Sequence, residues 1–399
     1  LRRHKTAAAL IVIEIALSCA IICNALFLIN GRIERMDRVS GLAENEVVRV
    51  QLAGIGRDDN AEALTKADLA SLRSIPGVKF ASATNQVAFN NSSWNSGVRL
   101  QQDQTHQNLN ATVYMADDQF IDTLGLNLIA GRNFSSDEYQ EWEALNKPDP
   151  PASIPVAIIT RSMAQALYPD QDALGKTFYS WGNEPIKIVG IVDHLVRRSD
   201  QGGPTAYEYS MIFPIRVHYN IGGHYLLRTE PGRRAEVLKA AEDVLLKNSP
   251  NRIVLEKETL EEMRQNFYRQ DRSMAWLLVA VCVALLIVTA LGIVGLASFW
   301  VQQRSKQIGV RRALGATRSQ ILRYFQTENF LLASLGIVIG MALAYGINQM
   351  LMGKYELARL PLYYLPVGAV LLWLLGQISV LGPALRAASV PPAVATRSA

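Results

Sequence analysis

Charge is scarce in long parts of this 399-residue sequence. Four stretches, residues 7–30, 276–300, 329–352 and 360–385, contain one charged side chain between them, Glu14. An apolar run of roughly 20 residues can cross the hydrocarbon core of a bilayer, whereas buried helices of soluble proteins keep such runs to roughly 10–14 residues. The missing charge therefore excludes a soluble protein and predicts four transmembrane helices.

Acidic residues are missing from the loop between the second and third apolar stretches. Residues 301–327 contain no Asp or Glu, but they contain six bases: Arg304, Lys306, Arg311, Arg312, Arg318 and Arg323. Residues 31–272, by contrast, contain 27 Lys and Arg and 32 Asp and Glu, a net charge of 27 − 32 = −5. The positive-inside rule places both termini and the loop in the cytoplasm and residues 31–272 outside. The pI near 9.0 then reflects topology, and nucleic acid is not an expected partner.

Cysteine is absent from the outer segment. The three cysteines, Cys19, Cys23 and Cys282, all lie in apolar stretches, so residues 31–272 must fold without disulfides in an oxidising compartment. The first apolar stretch is too long for the core of a signal peptide and is not followed by an A-x-A site, which predicts an uncleaved anchor.

The outer segment predicts a mixed α/β domain. Two β-α-β patterns are present, and their elements are residues 47–52, 65–74 and 78–84 for the first and 225–229, 235–247 and 253–255 for the second. They flank a polar section, residues 85–110, and two strong strand patterns. This arrangement suggests that one subdomain is inserted within another. The predicted fold class is a membrane protein with four transmembrane α-helices and a large extracytoplasmic α/β domain on a helical stalk.

The stalk prediction depends on residues 259–300, which read as one helix. Its apolar seam consists of Leu260, Met263, Phe267 and Met274. A continuous helix would be about 60 Å long and would stand above the membrane. The alternative is a separate short helix with a break near Asp271.

The cytoplasmic loop predicts a short helix, a sharp corner and a second helix. Gly315 is a helix stop, and Thr317 to Gln320 form a capping box. Val310, Leu314, Thr317 and Ile321 follow helical spacing, so we expect this side to pack against the membrane helices. Arg311 and Arg312 lie off that stripe. The pattern alone does not separate binding of anionic lipid from docking on a cytoplasmic partner.

Several motifs resemble the FtsX-like and MacB-like families. The loop contains Gln307-Ile308-Gly309-Val310-Arg311-Arg312-Ala313-Leu314-Gly315-Ala316, similar to the E-I-G-x-R-R-A-L-G-A signature of FtsX-like permeases, with Gln where that family usually has Glu. Glu328 and the ending at residues 383–392 also match. In the outer segment, residues 118–134, 164–176 and 188–192 resemble the MacB-like periplasmic core.

The resemblance implies a permease of an ABC transporter in a bacterial inner membrane, with an outer domain made of a porter-like part and a smaller inserted part. Such permeases dimerise, with a second copy or a homologous permease, and pair with ATP-binding subunits. The implied coupling helix contains Gln307, Gly309, Val310, Arg311, Arg312, Leu314 and Gly315. ATP and magnesium would be bound by the partner ATPase, and this chain would bind no cofactor. A periplasmic membrane-fusion protein and an outer-membrane channel are further candidate partners.

No residue pattern indicates an enzyme. Residues 174–177 end like a P-loop, but Asp170 stands where that motif needs Gly, so we expect the ATPase to be a separate chain. The five histidines lack metal-ligand spacing. Glu14 is an intramembrane acid for which helix packing and a substrate role stay open. A small-residue ridge consists of Gly336, Gly340 and Ala344, which predicts either a dimer contact or packing within the chain.

The sequence thus predicts eight segments: 1–30 (N-terminus and first membrane helix), 31–258 (outer domain), 259–300 (stalk and second helix), 301–327 (coupling loop), 328–352 (third helix), 353–359 (outer loop), 360–385 (fourth helix) and 386–399 (cytoplasmic tail). We expect efflux or extraction of a peptide, drug or lipid-like substrate. The alternatives are an FtsX-like regulatory subunit that moves no solute and a sensor, which the short cytoplasmic segments disfavour.

Overall fold

The computed structural model describes residues 5–56, 60–90, 94–145, 153–197, 206–355 and 359–389. The chain divides into two units. The first, here called the membrane unit, comprises Leu1–Asp37 and Gln270–Ala399, and the second, the outer domain, comprises Arg38–Arg269.

The helices are α1 (Lys5–Met36), α2 (Ala61–Arg73), α3 (Phe120–Leu124), α4 (Trp142–Leu145), α5 (Arg161–Leu167), α6 (Arg234–Asn248), α7 (Leu260–Phe267), α8 (Arg269–Gln303), α9 (Ser305–Ala313), α10 (Arg318–Tyr355) and α11 (Tyr364–Ser389). The strands are β1 (Val47–Gly54), β2 (Val78–Thr84), β3 (Asn95–Val98), β4 (Leu109–Met115), β5 (Leu128–Gly131), β6 (Gln140–Glu141), β7 (Val156–Thr160), β8 (Thr177–Phe178), β9 (Ile186–Val192), β10 (Ser210–Phe213), β11 (Ile215–Arg216), β12 (His224–Thr229) and β13 (Arg252–Thr259).

Four helices of the membrane unit, α1, α8, α10 and α11, are long and apolar enough to cross a membrane, which confirms the predicted number. Helix α1 packs against α10 and α11, and its residues Ile11, Ile15, Cys19, Ile22 and Cys23 are at most 1% exposed. These side chains form one buried apolar cluster with residues of the other three helices. The apolar stretches therefore form a bundle around α1.

The small-residue ridge on α10 contacts α1 of the same chain. A Cβ added at Gly336 would lie 2.9 Å from the Cβ of Ile15, and one added at Gly340 would lie 2.5 Å from the Cβ of Cys19. Ala344 is fully buried, and its carbonyl accepts a hydrogen bond from Nδ2 of Asn24 at 3.1 Å. Of the two alternatives for Gly336, Gly340 and Ala344, the structure favours packing within the chain, because α1 already occupies the ridge.

Polar side chains of α1 face α8. The hydroxyl groups of Ser18 and Thr289 lie 2.8 Å apart. One turn away, the carboxyl group of Glu14 lies against Gly292, where a Cβ would collide with it. The glycine makes room for the carboxyl group at this helix contact, so the position of Glu14 follows from helix packing.

The outer domain contains the two predicted β-α-β units in one sheet. The strand order is β13-β1-β12-β2, and neighbouring strands are antiparallel, which makes each β-α-β unit a split pair around a strand of the other unit. Helix α2 buries Ala61, Thr65, Asp68 and Leu72 at helical spacing. The carboxylate of Asp68 is matched by Arg252, and both side chains are fully buried.

The inserted part has its own sheet of seven strands, ordered β3-β4-β10-β7-β9-β5 with β8 beside β9. Its core includes Val113, Ile159, Ile188 and Phe213, each at most 1% exposed. The insertion itself agrees with the prediction. The insert is not the smaller part, however, because within the described residues its main sheet has seven strands and the flanking sheet has four.

The predicted continuous stalk helix is interrupted at Tyr268. Helix α7 starts at a capping box between Thr259 and Glu262 and ends at Phe267, and α8 starts at Arg269. Tyr268 is 2% exposed, and its ring lies 6.1 Å from that of Phe89, so the interruption falls at a residue that is packed inside the outer domain. The alternative, a short helix followed by a break, describes this segment better.

The four predicted seam residues also do not lie on one stalk helix. Leu260 is 0% and Met263 is 3% exposed, because both belong to the interior of the outer domain. The ring of Phe267 lies 5.9 Å from that of Phe89 in the same domain. Of the four predicted seam residues, Met274 lies on α8 and is 37% exposed.

Candidate functional site

The basic loop, residues 301–327, contains helix α9, which is separated from α8 by one non-helical residue, Arg304. The backbone N–H of Ile308 donates to the carbonyl of Arg304 at 2.9 Å, so α9 follows directly after the turn. Ile308 and Gly309 are the buried residues of α9. The implied coupling helix at residues 307–315 is thus a short helix with one buried edge.

A rigid corner ends α9. Gly315 has φ +95°, the left-handed conformation that favours glycine. The N–H of Gly315 donates to the carbonyl of Arg312 at 3.1 Å, and the N–H of Ala316 donates to that of Arg311 at 3.0 Å. These two bonds are those of a Schellman motif. The predicted helix stop at Gly315 is confirmed.

The next helix, α10, begins at the predicted capping box. The backbone N–H of Thr317 donates to Oε1 of Gln320 at 2.9 Å, and the N–H of Gln320 donates to Oγ1 of Thr317 at 3.3 Å. Hydrogen bonds between residues at most five positions apart therefore hold the corner on both sides, at the end of α9 and at the start of α10.

The buried side of α9 differs from the predicted one. Val310 is 52% and Leu314 is 83% exposed, whereas Ile308 is 5% exposed. Ile308 packs with Ile321 and Phe325 of α10 and with three alanines of α11, Ala384, Ala387 and Ala388. The prediction was wrong because it continued helical spacing through residues 314–317, which are not helical.

An ion pair, missed by the sequence analysis, ties the start of the loop to α10. Nη1 of Arg304 donates to Oε2 of Glu328 at 2.7 Å, and the two side chains are 15% and 11% exposed. The same guanidinium lies over the ring of Trp300, 5.9 Å from its centroid. Glu328 is the first acid after six bases, a signal that could have suggested a basic partner in the loop.

A cavity of about 160 Å³ lies between α9 and α10. Its lining consists of Arg304, Gln307, Ile308, Arg311, Ala316, Gln320, Ile321, Tyr324 and Phe325. The guanidinium of Arg311 lies 5.0 Å from the centroid of the Tyr324 ring, and Nη1 of Arg304 lies 3.4 Å from the Tyr324 hydroxyl. The loop thus presents exposed apolar side chains beside a positively charged pocket.

The outer domain has a second cavity, of about 260 Å³, between α2 and residues of the insert. Asp117 is 3% exposed at this cavity and accepts hydrogen bonds from the backbone N–H groups of Ala83 and Gln119, each at 3.1 Å. Burial raises the pKa of Asp117 to about 6 against these donors. Within the described residues, no group of three His, Cys, Asp or Glu side chains is arranged to hold a metal ion.

Two family models cover most of the chain. A MacB-like periplasmic core domain matches residues 8–244, and an FtsX-like permease C-terminal domain matches residues 279–392. The chain belongs to the MacB-like family of ABC transporter permeases. The loop of this permease, with α9 and the corner, lies inside the FtsX-like match.

Relatives of the permease agree with this assignment. ABC transporter permease YvrN of Bacillus subtilis is 24% identical, and the match covers 71% of this chain and 69% of YvrN. The macrolide export ATP-binding/permease protein MacB of Neisseria gonorrhoeae is 23% identical over 86% of this chain and 51% of that protein. The chain thus spans about half the length of this MacB.

Two solved structures resemble the outer part of the permease. The extracellular domain of the ABC-type transporter YknZ from Gram-positive bacteria matches 52% of this chain and all of that chain, with 18% identity and a TM-score of 0.32. The periplasmic region of MacB from Actinobacillus actinomycetemcomitans matches 57% of this chain and 94% of that chain, with 14% identity and a TM-score of 0.34.

Proposed function

We propose that the chain is the permease subunit of a bacterial ABC exporter that passes the motion of a separate ATP-binding subunit to the outer domain. The membrane would be the inner membrane, with the outer domain in the periplasm, and a second permease copy would complete the transporter. The expected result of the motion is efflux or extraction of a peptide, drug or lipid-like substrate.

The observation that carries this proposal is the exposure of Val310 on α9 and of Leu314 directly after it. Leu314 is 83% exposed at a rigid corner, so its side chain contributes nothing to the stability of the fold. Exposed apolar side chains next to bases are suited to a protein interface. Since residues 301–327 contain no acid, the partner surface should be acidic around an apolar depression.

The corner supports a mechanical role. The Schellman motif at Gly315 and the capping box at Thr317 fix the direction of α10 relative to α9. At its other end, α9 is joined to α8 by Arg304, which is held by Glu328. A push on α9 would therefore reach both membrane helices, and α8 leads back to the outer domain along the chain.

The test is co-purification of the two subunits from detergent. Leu314→Glu should abolish binding of the ATP-binding subunit, because a carboxylate would replace an apolar contact. Ser319→Glu is the matched control, since Ser319 is exposed beyond the corner and receives the same charge. Normal co-purification and ATPase stimulation with Leu314→Glu would refute the proposal, and a lipid-surface role for the loop would be preferred.

A further inference from the structure

The pocket between α9 and α10 has a charge that the chain does not balance. Arg304, which lines the pocket, is paired with Glu328. Arg311 makes no ion pair within the described residues, and its guanidinium lies against the ring of Tyr324, 5.0 Å from the centroid. Glu328 thus balances the charge of Arg304, and the positive charge of Arg311 remains for a ligand.

We propose that this pocket receives an acidic side chain of the ATP-binding partner and that Arg311 is its receptor. The inference rests on the coupling function proposed above and names a second contact of that site. A guanidinium held by an aromatic ring keeps its N–H groups in one orientation, so it is prepared for a two-point contact with a carboxylate.

Neutral hydrogen-bonding groups complete the rim. Gln307 and Gln320 both line the pocket, and both are exposed. Oε1 of Gln320 is engaged by the backbone N–H of Thr317, which leaves the Nε2 group of this side chain as a donor. In the FtsX-like signature the position of Gln307 is usually Glu. With glutamine there, the pocket contains no carboxylate of its own apart from the one that holds Arg304.

The base of the pocket is apolar and closed. Ile308, Ile321 and Phe325 line it, each at most 5% exposed, and the three alanines of α11 lie in the same buried cluster. A phospholipid that placed its phosphate here would have no apolar groove at the base for its acyl chains. A volume of about 160 Å³ with a closed base fits one protruding side chain, which favours a protein partner over a lipid.

The first experiment is site-specific photo-crosslinking in membranes that contain the full permease and its ATP-binding subunit. A photoreactive amino acid at Gln320 should crosslink to the ATP-binding subunit, and one at Thr327, exposed on α10 outside the pocket, should not. Crosslinking at Gln320 to lipid alone would overturn the inference. Leu314 reports on the proposed function separately, because a crosslink there without one at Gln320 leaves coupling intact and the pocket refuted.

The second experiment titrates purified permease with the ATP-binding subunit at several salt concentrations. Arg311→Gln should weaken binding by roughly tenfold and flatten the salt dependence, as expected for the loss of a desolvated charge pair. Arg318→Gln removes the same charge from an exposed position outside the pocket and should change affinity less than about twofold. Equal effects of the two substitutions would show that only the overall charge matters and would overturn the inference.

Discussion

Helices α7 and α9 stand on either side of α8 along the chain, and they use their apolar residues in opposite ways. In α7, Leu260 and Met263 are at most 3% exposed and belong to the outer domain. By contrast, Val310 of α9 and Leu314, the residue that follows α9, are 52% and 83% exposed. Helix α7 is therefore a structural element of one domain, whereas the described residues leave the surface at α9 uncovered. The difference supports the proposal that a partner binds at α9.

The largest expected effect concerns the buried member of this comparison. Leu260→Ala should lower the free energy of unfolding by about 2–5 kcal/mol, because it leaves a cavity at a fully buried position. Thermal unfolding of the full chain in detergent, followed by tryptophan fluorescence, measures the change. A loss below about 0.5 kcal/mol would mean that α7 is not part of the domain interior.

The next prediction tests whether burial of the Asp117 carboxyl group in the outer domain makes its ionisation unfavourable. Since the pKa of Asp117 is raised from 3.8 to about 6, the folded state holds its proton more tightly than the unfolded state. The protonated carboxyl group of Asp117 therefore contributes up to roughly 3 kcal/mol to the free energy of unfolding. This contribution is present below pH 4 and is lost as the pH rises to about 6.

Asp117→Asn does not titrate, so the stability of the parent relative to this variant should fall over that pH range. Urea unfolding of both proteins between pH 4 and pH 7 measures the difference. A constant difference across the range would show that the carboxyl group titrates normally despite its burial.

A smaller effect is expected for the ion pair at the start of α9. Arg304→Ala should cost roughly 2 kcal/mol, less than the loss of a fully buried pair, because both side chains keep some exposure. The exchange Arg304→Glu with Glu328→Arg should restore most of this stability. If the exchange is as damaging as the single change, the pair does not tie the loop to α10.

Local patterns were sufficient for much of this architecture. Uncharged runs indicated the four membrane helices, the two β-α-β patterns indicated a domain with an insert, and Gly315 with Thr317 indicated the corner. Each of these features depends on residues close together in the chain.

The features that sequence reasoning missed depend on distant residues. The helix is interrupted at Tyr268, which packs against Phe89. Arg304 forms its ion pair with a residue 24 positions later in the chain. The spacing of apolar residues along a helix also does not show which part of the protein covers them. Leu260 was expected on the seam of a stalk and is buried in the outer domain, whereas Leu314 was expected to pack against the membrane helices and is exposed.

The smallest expected effect completes the comparison. Leu314→Ala should change the free energy of unfolding by less than about 0.5 kcal/mol, because the exposed side chain buries little area in the folded chain. The same unfolding assay as for Leu260→Ala applies. A loss of more than about 2 kcal/mol in the free energy of unfolding would show that Leu314 is buried within the chain and is not free to bind a partner.

The central claim is that the surface of α9 faces the cytoplasm and binds the ATP-binding subunit. The most direct measurement is the rate at which a membrane-impermeant maleimide modifies Leu314→Cys, since the three native cysteines are at most 8% exposed. We predict fast modification in inside-out vesicles, several-fold slower modification once the ATP-binding subunit is added, and none in right-side-out vesicles. Modification from the outer side, or an unchanged rate with the subunit bound, would contradict the account.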